Sequence, residues 1–214
     1  MWEILRAHGI EPALKRRAGP GWAEFLHGQA QAILAVDFFT ARTLGGATVY
    51  VLAVIEHANR RVRILGATTR PTAAWTAQQA RNLLMDLAEA NVRMRYLIRD
   101  RDTKFGRVFD AIFASDGIRV ITSAVRAPRM NSIMERWIKS CRTELLDGTL
   151  IYNERHLLHA LREYEEYYNI HRRHRALAAA APLRALPEPE DIEQVRTRRR
   201  DRLGGILHKY TAVA

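Results

Sequence analysis

Cysteine is almost absent: Cys141 is the single thiol in 214 residues. One cysteine excludes an intramolecular disulfide and a zinc site built from several thiolates. It fits a reducing compartment. No apolar run reaches the roughly 20 residues that a membrane-spanning helix needs. The start, Met1-Trp2-Glu3-Ile4, lacks the charged-then-apolar order of a secretory leader. The expectation is a cytoplasmic protein with no membrane contact. Lysine is scarce as well. Only Lys15, Lys104, Lys139 and Lys209 occur among 34 basic residues, so arginine supplies the rest. Acidic residues number 23, which leaves a net charge of +11. That excess favours a polyanionic partner, nucleic acid ahead of a membrane surface. A GC-rich genome would also enrich arginine and alanine, but here the bases cluster beside a set of acids.

Hydrophobic residues make up 48% of the chain, enough for one sizeable core with an appendage. Residues 1–28 are basic and broken by Gly and Pro, which predicts a linker or the remnant of a preceding DNA-binding region. Residues 31–39 read as a strand buried on both faces. Val49 to Ile55 and Arg61 to Leu65 read as two more strands, with short turns making an antiparallel meander. The period then changes. Thr72 caps a predicted helix to about Ala90. Met94–Ile98 and Val120–Thr122 are predicted short strands, with a helix between them over Phe105–Ala114. Residues 123–129 have no period and predict a mobile loop. A helix from Met130 to about Asp147 follows, then Asn153 caps another to about Tyr168. Strands first, then alternating strands and helices, predict an α/β domain over residues 29–186: a mixed five-stranded sheet with helices on both faces. Residues 187–214 predict a basic tail with a short strand near Leu207.

Acids stand out at three places. Asp37 interrupts the apolar run Ile33-Leu34-Ala35-Val36-Asp37-Phe38-Phe39. A buried acid costs several kcal/mol unless a base or a metal compensates it. Asp100 and Asp102 straddle Arg101 just past a short apolar strand, where functional groups of α/β sheets gather; an ordinary turn would also favour Asp there. On the Met130–Asp147 helix, Met130, Ile133, Met134, Trp137, Ile138, Cys141 and Leu145 form an apolar stripe. At about 100° per residue, Asn131, Glu135, Lys139 and Arg142 fall on one flank of it. Taken alone, Glu135 and Lys139 are an exposed i,i+4 pair worth a few tenths of a kcal/mol, about 0.2–0.5. Together the acids fit another role. Mg²⁺ takes hard oxygen ligands and keeps waters, so one or two carboxylates per ion suffice. Two such ions can stabilise both oxygens of an in-line phosphoryl displacement.

At this point the residues resemble a family. The chain is similar to the catalytic core of retroviral-type integrases and of bacterial insertion-sequence transposases. The resemblance rests on Ala35-Val36-Asp37-Phe38-Phe39, on Asp100-Arg101-Asp102-Thr103-Lys104-Phe105 and on Asn131-Ser132-Ile133-Met134-Glu135. The gap of 34 residues between Asp100 and Glu135 is close to the family's usual spacing. Farther on, Tyr168-Asn169-Ile170-His171-Arg172-Arg173-His174-Arg175-Ala176-Leu177 resembles the signature of the bacterial members, with Arg173 offset by one. The second motif departs from the family, with Arg101-Asp102 in place of Asn-Gly.

The resemblance implies a ribonuclease-H-like fold and Mg²⁺-dependent DNA strand cleavage and strand transfer, with Mn²⁺ able to substitute. It implies Asp37, Asp100 and Glu135 as catalytic metal ligands, with Asp102 a neighbour of Asp100. Asn131, Lys139, Arg142 and Arg172 are expected DNA contacts. The implied partners are DNA, further copies of the chain and a separate helix-turn-helix protein, since only some thirty residues precede the core. The alternatives are a ribonuclease-H-like nuclease and a DNA-binding remnant without chemistry. With a single cysteine in the chain, the pairs His156/His159 and His171/His174 make a poor zinc set. His171 and His174 could instead touch phosphate. Trp137, Tyr164 and Tyr168 are expected in the core. Arg196–Arg200 is either a phosphate-contacting tail or a solvated charge run.

Overall fold

Two strands with almost no polar interior residue set the middle of the sheet. β1 (Ile33–Arg42) and β2 (Thr48–Glu56) pair antiparallel from Leu34–Glu56 to Arg42–Thr48. Their β-branched and aromatic side chains suit a pleated surface covered on both sides. β3 (Val62–Thr68) completes the meander against β2. β4 (Tyr96–Arg99) joins β1 in parallel, and β5 (Arg119–Thr122) joins β4 in parallel. The computed structural model describes residues 21–124, 128–178, 180–184 and 196–213. Its main sheet is mixed and five-stranded, in the order β3-β2-β1-β4-β5.

Strand alternation sends side chains to two cores. Leu34, Val36, Leu52, Val54 and Leu97 pack with Leu83 and Leu87 of α2 (Ala73–Glu89) and with Phe109 and Phe113 of α3 (Arg107–Ser115). Ile33, Ala35, Phe39, Ala53 and Ile98 pack with Met134, Trp137 and Cys141 of α4 (Ser132–Glu144) and with Leu157, Leu161 and Tyr164 of α5 (Glu154–Ile170). Both predicted caps are present. Thr72 Oγ1 accepts from the Trp75 amide at 3.2 Å, and Asn153 Oδ1 from the His156 amide at 2.9 Å. α4 is shorter than its apolar stripe suggests. Short 3₁₀ turns at Pro128–Asn131 and Leu146–Gly148 flank it, and Asn131 itself is non-helical at φ −116°, ψ 23°.

β3 is a sheet edge, and α5 closes it. Asn169 Oδ1 accepts from the Val62 amide at 2.9 Å while its Nδ2 donates to the Val62 carbonyl at 2.8 Å. Glu165 Oε2 accepts from the Ile64 amide at 3.0 Å. Side chains thus satisfy edge groups that would otherwise invite another strand.

Both chain ends hold more regular structure than the sequence predicts. Within the expected linker, α1 (Trp22–Gly28) is a helix whose Phe25 meets Tyr96 edge-on at 5.1 Å. Within the expected tail, the arginine run is β6 (Arg196–Arg202), paired antiparallel with β7 (Leu207–Val213). Buried Leu207 and the bridges from Arg202 to Glu163 and Glu166 fasten this hairpin to α5. An isolated charge run does not reveal a strand whose apolar support comes from elsewhere. Residues 1–20 and 185–195 lie outside the described residues, as do 125–127 of the expected loop.

Candidate active site

Asp37 is the fifth residue of β1, not a strand-end residue. The parallel pairing of β1 with β4 runs from Ile33–Tyr96 to Ala35–Ile98. Carried two residues further, that offset sets Asp37 beside Asp100. Alternation fixes the side on which they emerge. Ala35, Phe39 and Ile98 all face α4 and α5, so Asp37 shares that face, and Asp100, one residue past the end of β4, lies close enough to repel it. The energetic consequence is visible in Asp37. Burial, and then repulsion from Asp100, push its carboxyl up to about 7; Glu135 and Asp102 add smaller repulsions, and a 2.8 Å hydrogen bond from the Phe38 amide opposes them. No described base pairs with it.

Backbone and arginine contacts hold the Asp100 loop. The Asp102 amide donates to Asp100 Oδ1 at 3.0 Å. Asp102 is itself occupied: Lys104 pairs with it through the ammonium and donates its amide at 2.9 Å. The Lys104 ammonium also lies over the rings of Phe38 and Tyr50, at 5.3 and 5.1 Å. Of the two acids, Asp102 therefore has an internal cation and Asp100 has none among the described residues. Sequence reasoning missed Arg99. It is buried, grips Asp110 through two hydrogen bonds of 2.8 and 2.6 Å, and donates to the Asp100 carbonyl at 2.7 Å. The available signal was its position as the last residue of the short apolar strand, directly after Leu97 and Ile98, where a side chain still lies within the packed layers.

α4 brings the third acid. Trp137 packs edge-on against Phe39 with ring centroids 5.6 Å apart, which holds the helix over β1. Glu135, Lys139 and Arg142 are exposed along it. Asn131 does not continue that exposed ridge. It is 3% exposed, and neither side-chain amide atom has a partner. The cause is the 3₁₀ turn, which rotates Asn131 off the helical flank. Among the described residues, no three acids, histidines or thiols converge closely enough to hold one ion. The donor set nevertheless fits a hard divalent cation in chemistry and charge: all donors are oxygens, and the half-buried Asp37 carboxylate beside Asp100 has no described counter-charge.

The signature after α4 is structural. Trp137, Tyr164 and Tyr168 are buried core residues, as expected. Arg172 is not free for DNA. It holds Glu144 with hydrogen bonds of 2.5 to 3.0 Å and stacks over Tyr168 at 5.3 Å. His174 is buried edge-on against Tyr168, at 4.6 Å. Arg172→Ala is therefore expected to cost about 1.5–3 kcal/mol of stability, the range for hydrogen bonds to charged groups. It should leave the salt dependence of DNA binding unchanged. Urea melts and binding titrations at several salt concentrations check both.

Residues 116–182 match the family model of the integrase core domain. That span holds β5, α4 and α5, and with them Glu135. An integrase in the simian T-cell lymphotropic virus intasome, solved in complex with PP2A regulatory subunit B56 gamma, is similar over 97% of this chain and 75% of its own. It is 14% identical, with a TM-score of 0.55. The fold is that of an integrase catalytic core. The core also matches the HTLV-2 integrase catalytic core solved with magnesium: 13% identity, 65% of this chain, 86% of that chain, TM-score 0.49. The catalytic core of BIV integrase matches at 16% identity over 71% and 91% of the two chains, TM-score 0.49. No curated protein sequence matches this integrase-like chain. No helix among its described residues is long and apolar enough to cross a membrane.

Proposed function

We propose that this integrase-like core cleaves DNA strands and transfers them, as the transposase of a bacterial insertion sequence. The single observation that carries the reading is the β1–β4 register, which, carried two residues past its last pair, sets Asp37 beside Asp100; burial, and then that neighbour, raise the Asp37 carboxyl. Asp37 and Asp100 would share one Mg²⁺ or Mn²⁺, and Glu135 would hold a second. When bound, such ions stabilise charge on the attacking and leaving oxygens. The protein's own residues do the rest. The Phe38 amide orients the Asp37 carboxylate, the Asp102 amide and Arg99 orient Asp100, and Lys104 keeps Asp102 from adding a further uncompensated charge. Lys139 and Arg142, exposed beyond Glu135, would grip the backbone of the DNA.

The catalytic core would occupy residues 29–186, with the basic segments on either side serving DNA contact. Copies of the chain would pair two DNA ends in the cytoplasm, at the nucleoid. A separate helix-turn-helix protein would supply end recognition. The exposed position of Glu135 and the lack of a converged triad among the described residues favour a second reading: a DNA-binding chain without chemistry.

The test compares the native chain with Glu135→Gln on labelled element-end DNA with Mg²⁺ or Mn²⁺. The expected result is nicking and joining by the native chain, with binding alone by the variant. Binding without cutting by both selects the second reading. Equal cutting by both removes Glu135 from the mechanism.

A further inference from the structure

The turn between β2 and β3 carries a cation with no counter-charge among the described residues. Arg60 sits there at φ 65°, its amide donating to the Glu56 carbonyl at 3.0 Å. Its guanidinium is half-buried, and Nη1 is sealed from solvent without a hydrogen-bond partner. Glu56 is taken by Asn59 at 2.7 Å and by Arg63 at 3.4 Å. Arg60 acts electrostatically with His57, Tyr168, His174 and Arg136, and it forms no ion pair with a described carboxylate. Two of these neighbours are also unsatisfied. His57 is 2% exposed and His174 9% exposed, and in each Nε2 has no partner. Burial, then Arg60, hold the His57 imidazole down at about 4. Burial, then Arg172, do the same for His174, with the Tyr168 carbonyl opposing. Both rings are therefore neutral at pH 7. Nearby Arg172 is already committed to Glu144.

A half-buried guanidinium without a partner is unfavourable, as is each sealed polar atom. What the cluster lacks is an anion with several acceptor oxygens. Arginine forks match phosphate oxygens in pairs. Arg136 is exposed and follows Glu135 on α4, so it gives the cluster an open side on the helix that carries the third acid. We propose that Arg60 and Arg136, backed by the buried imidazole of His57, form a phosphate-oxyanion site whose occupant is a DNA backbone phosphodiester away from the scissile position. The oxyanion chemistry stands on the cluster alone; DNA as its source rests on the proposed function. The site would fix the register of the duplex across α4 without reading its sequence.

Two measurements test it, both without divalent metal. First, the imidazole NMR signals of His57 and His174 are followed while inorganic phosphate, and separately a short DNA duplex, are titrated in. Second, duplex affinity is measured against salt for the native chain and for Arg60→Gln, Arg136→Gln and Arg60→Lys. Both ligands are expected to move the His57 signal. Each Gln variant should flatten the salt slope by about 0.9, the value for one phosphate contact, and the Lys variant should keep most of it. The Lys variant also separates loss of charge from loss of folding. A duplex that binds without moving His57, with unchanged slopes in the variants, overturns the proposal. Movement with phosphate but not with a bound duplex overturns the assignment to DNA. If the native chain binds no duplex at low salt, the proposed function has failed, and the phosphate titration alone decides the site: a moving His57 signal upholds it and a static one removes it.

Discussion

Asp37→Asn is expected to reduce DNA cleavage by about 10³-fold or more, since a metal-binding carboxylate supports several kcal/mol of transition-state stabilisation. The same change should make the metal-free protein more stable at pH 8. The sign follows from the raised carboxyl. Asp37 titrates near 7 in the folded chain against an ordinary value of 3.8. Between those values the folded state holds a proton that the unfolded state has released, so stability falls as pH rises through that window. Above pH 7 the penalty is complete, at most about 4 kcal/mol for a shift of this size. Asparagine does not titrate, and its Oδ1 can still accept from the Phe38 amide. The expected gain at pH 8 is about 2–4 kcal/mol, shrinking to nothing near pH 4. Urea melts of both proteins across pH check it. A variant that loses both activity and stability at pH 8 would show that Asp37 is compensated in the fold, and the metal-site reading would fall.

Trp137→Ala should cost about 3–5 kcal/mol, the range for removing a large aromatic from a packed core. At about 2–4 °C per kcal/mol for a chain of this size, the melting temperature should drop by roughly 6–20 °C. Trp137 is 1% exposed and meets both Phe39 on β1 and Tyr168 on α5, with ring centroids at 5.6 and 6.4 Å. It is therefore the joint between the strand that carries Asp37 and the helix that carries Glu135. Cleavage per folded molecule should fall as well, because α4 loses its seat on β1. Trp137→Phe should recover most of both losses, since the buried indole nitrogen has no partner to lose. Calorimetry alongside a cleavage assay checks this. A Trp137→Ala protein with native activity per folded molecule would separate the packing of α4 from the chemistry.

Much of the architecture was written in local pattern. The apolar runs of β1 and β2 exceed what one covered face requires, and both belong to the sheet's interior. Thr72 and Asn153 announced their helices because a side-chain oxygen beside free amides is a local interaction. Asp37 was conspicuous because a lone acid in an apolar strand has no local explanation. Asn131, by contrast, was misplaced by extending a helical wheel one residue past the point where the backbone leaves helical geometry. Arg172 was read as a DNA contact because its partner, Glu144 at the end of α4, lies 28 positions away along the chain.

By itself, then, the sequence determined the elements, their order, their apolar faces and the candidate acids, all properties of neighbours along the chain. The tertiary structure alone decided which of those acids meet. Asp37 and Asp100 are 63 positions apart, and only the β1–β4 register sets them side by side. It also decided which charges are compensated: Asp102 by Lys104, Glu144 by Arg172, and Arg60 by no described carboxylate. Compensation depends on distance and burial, and neither is a property of any stretch of sequence.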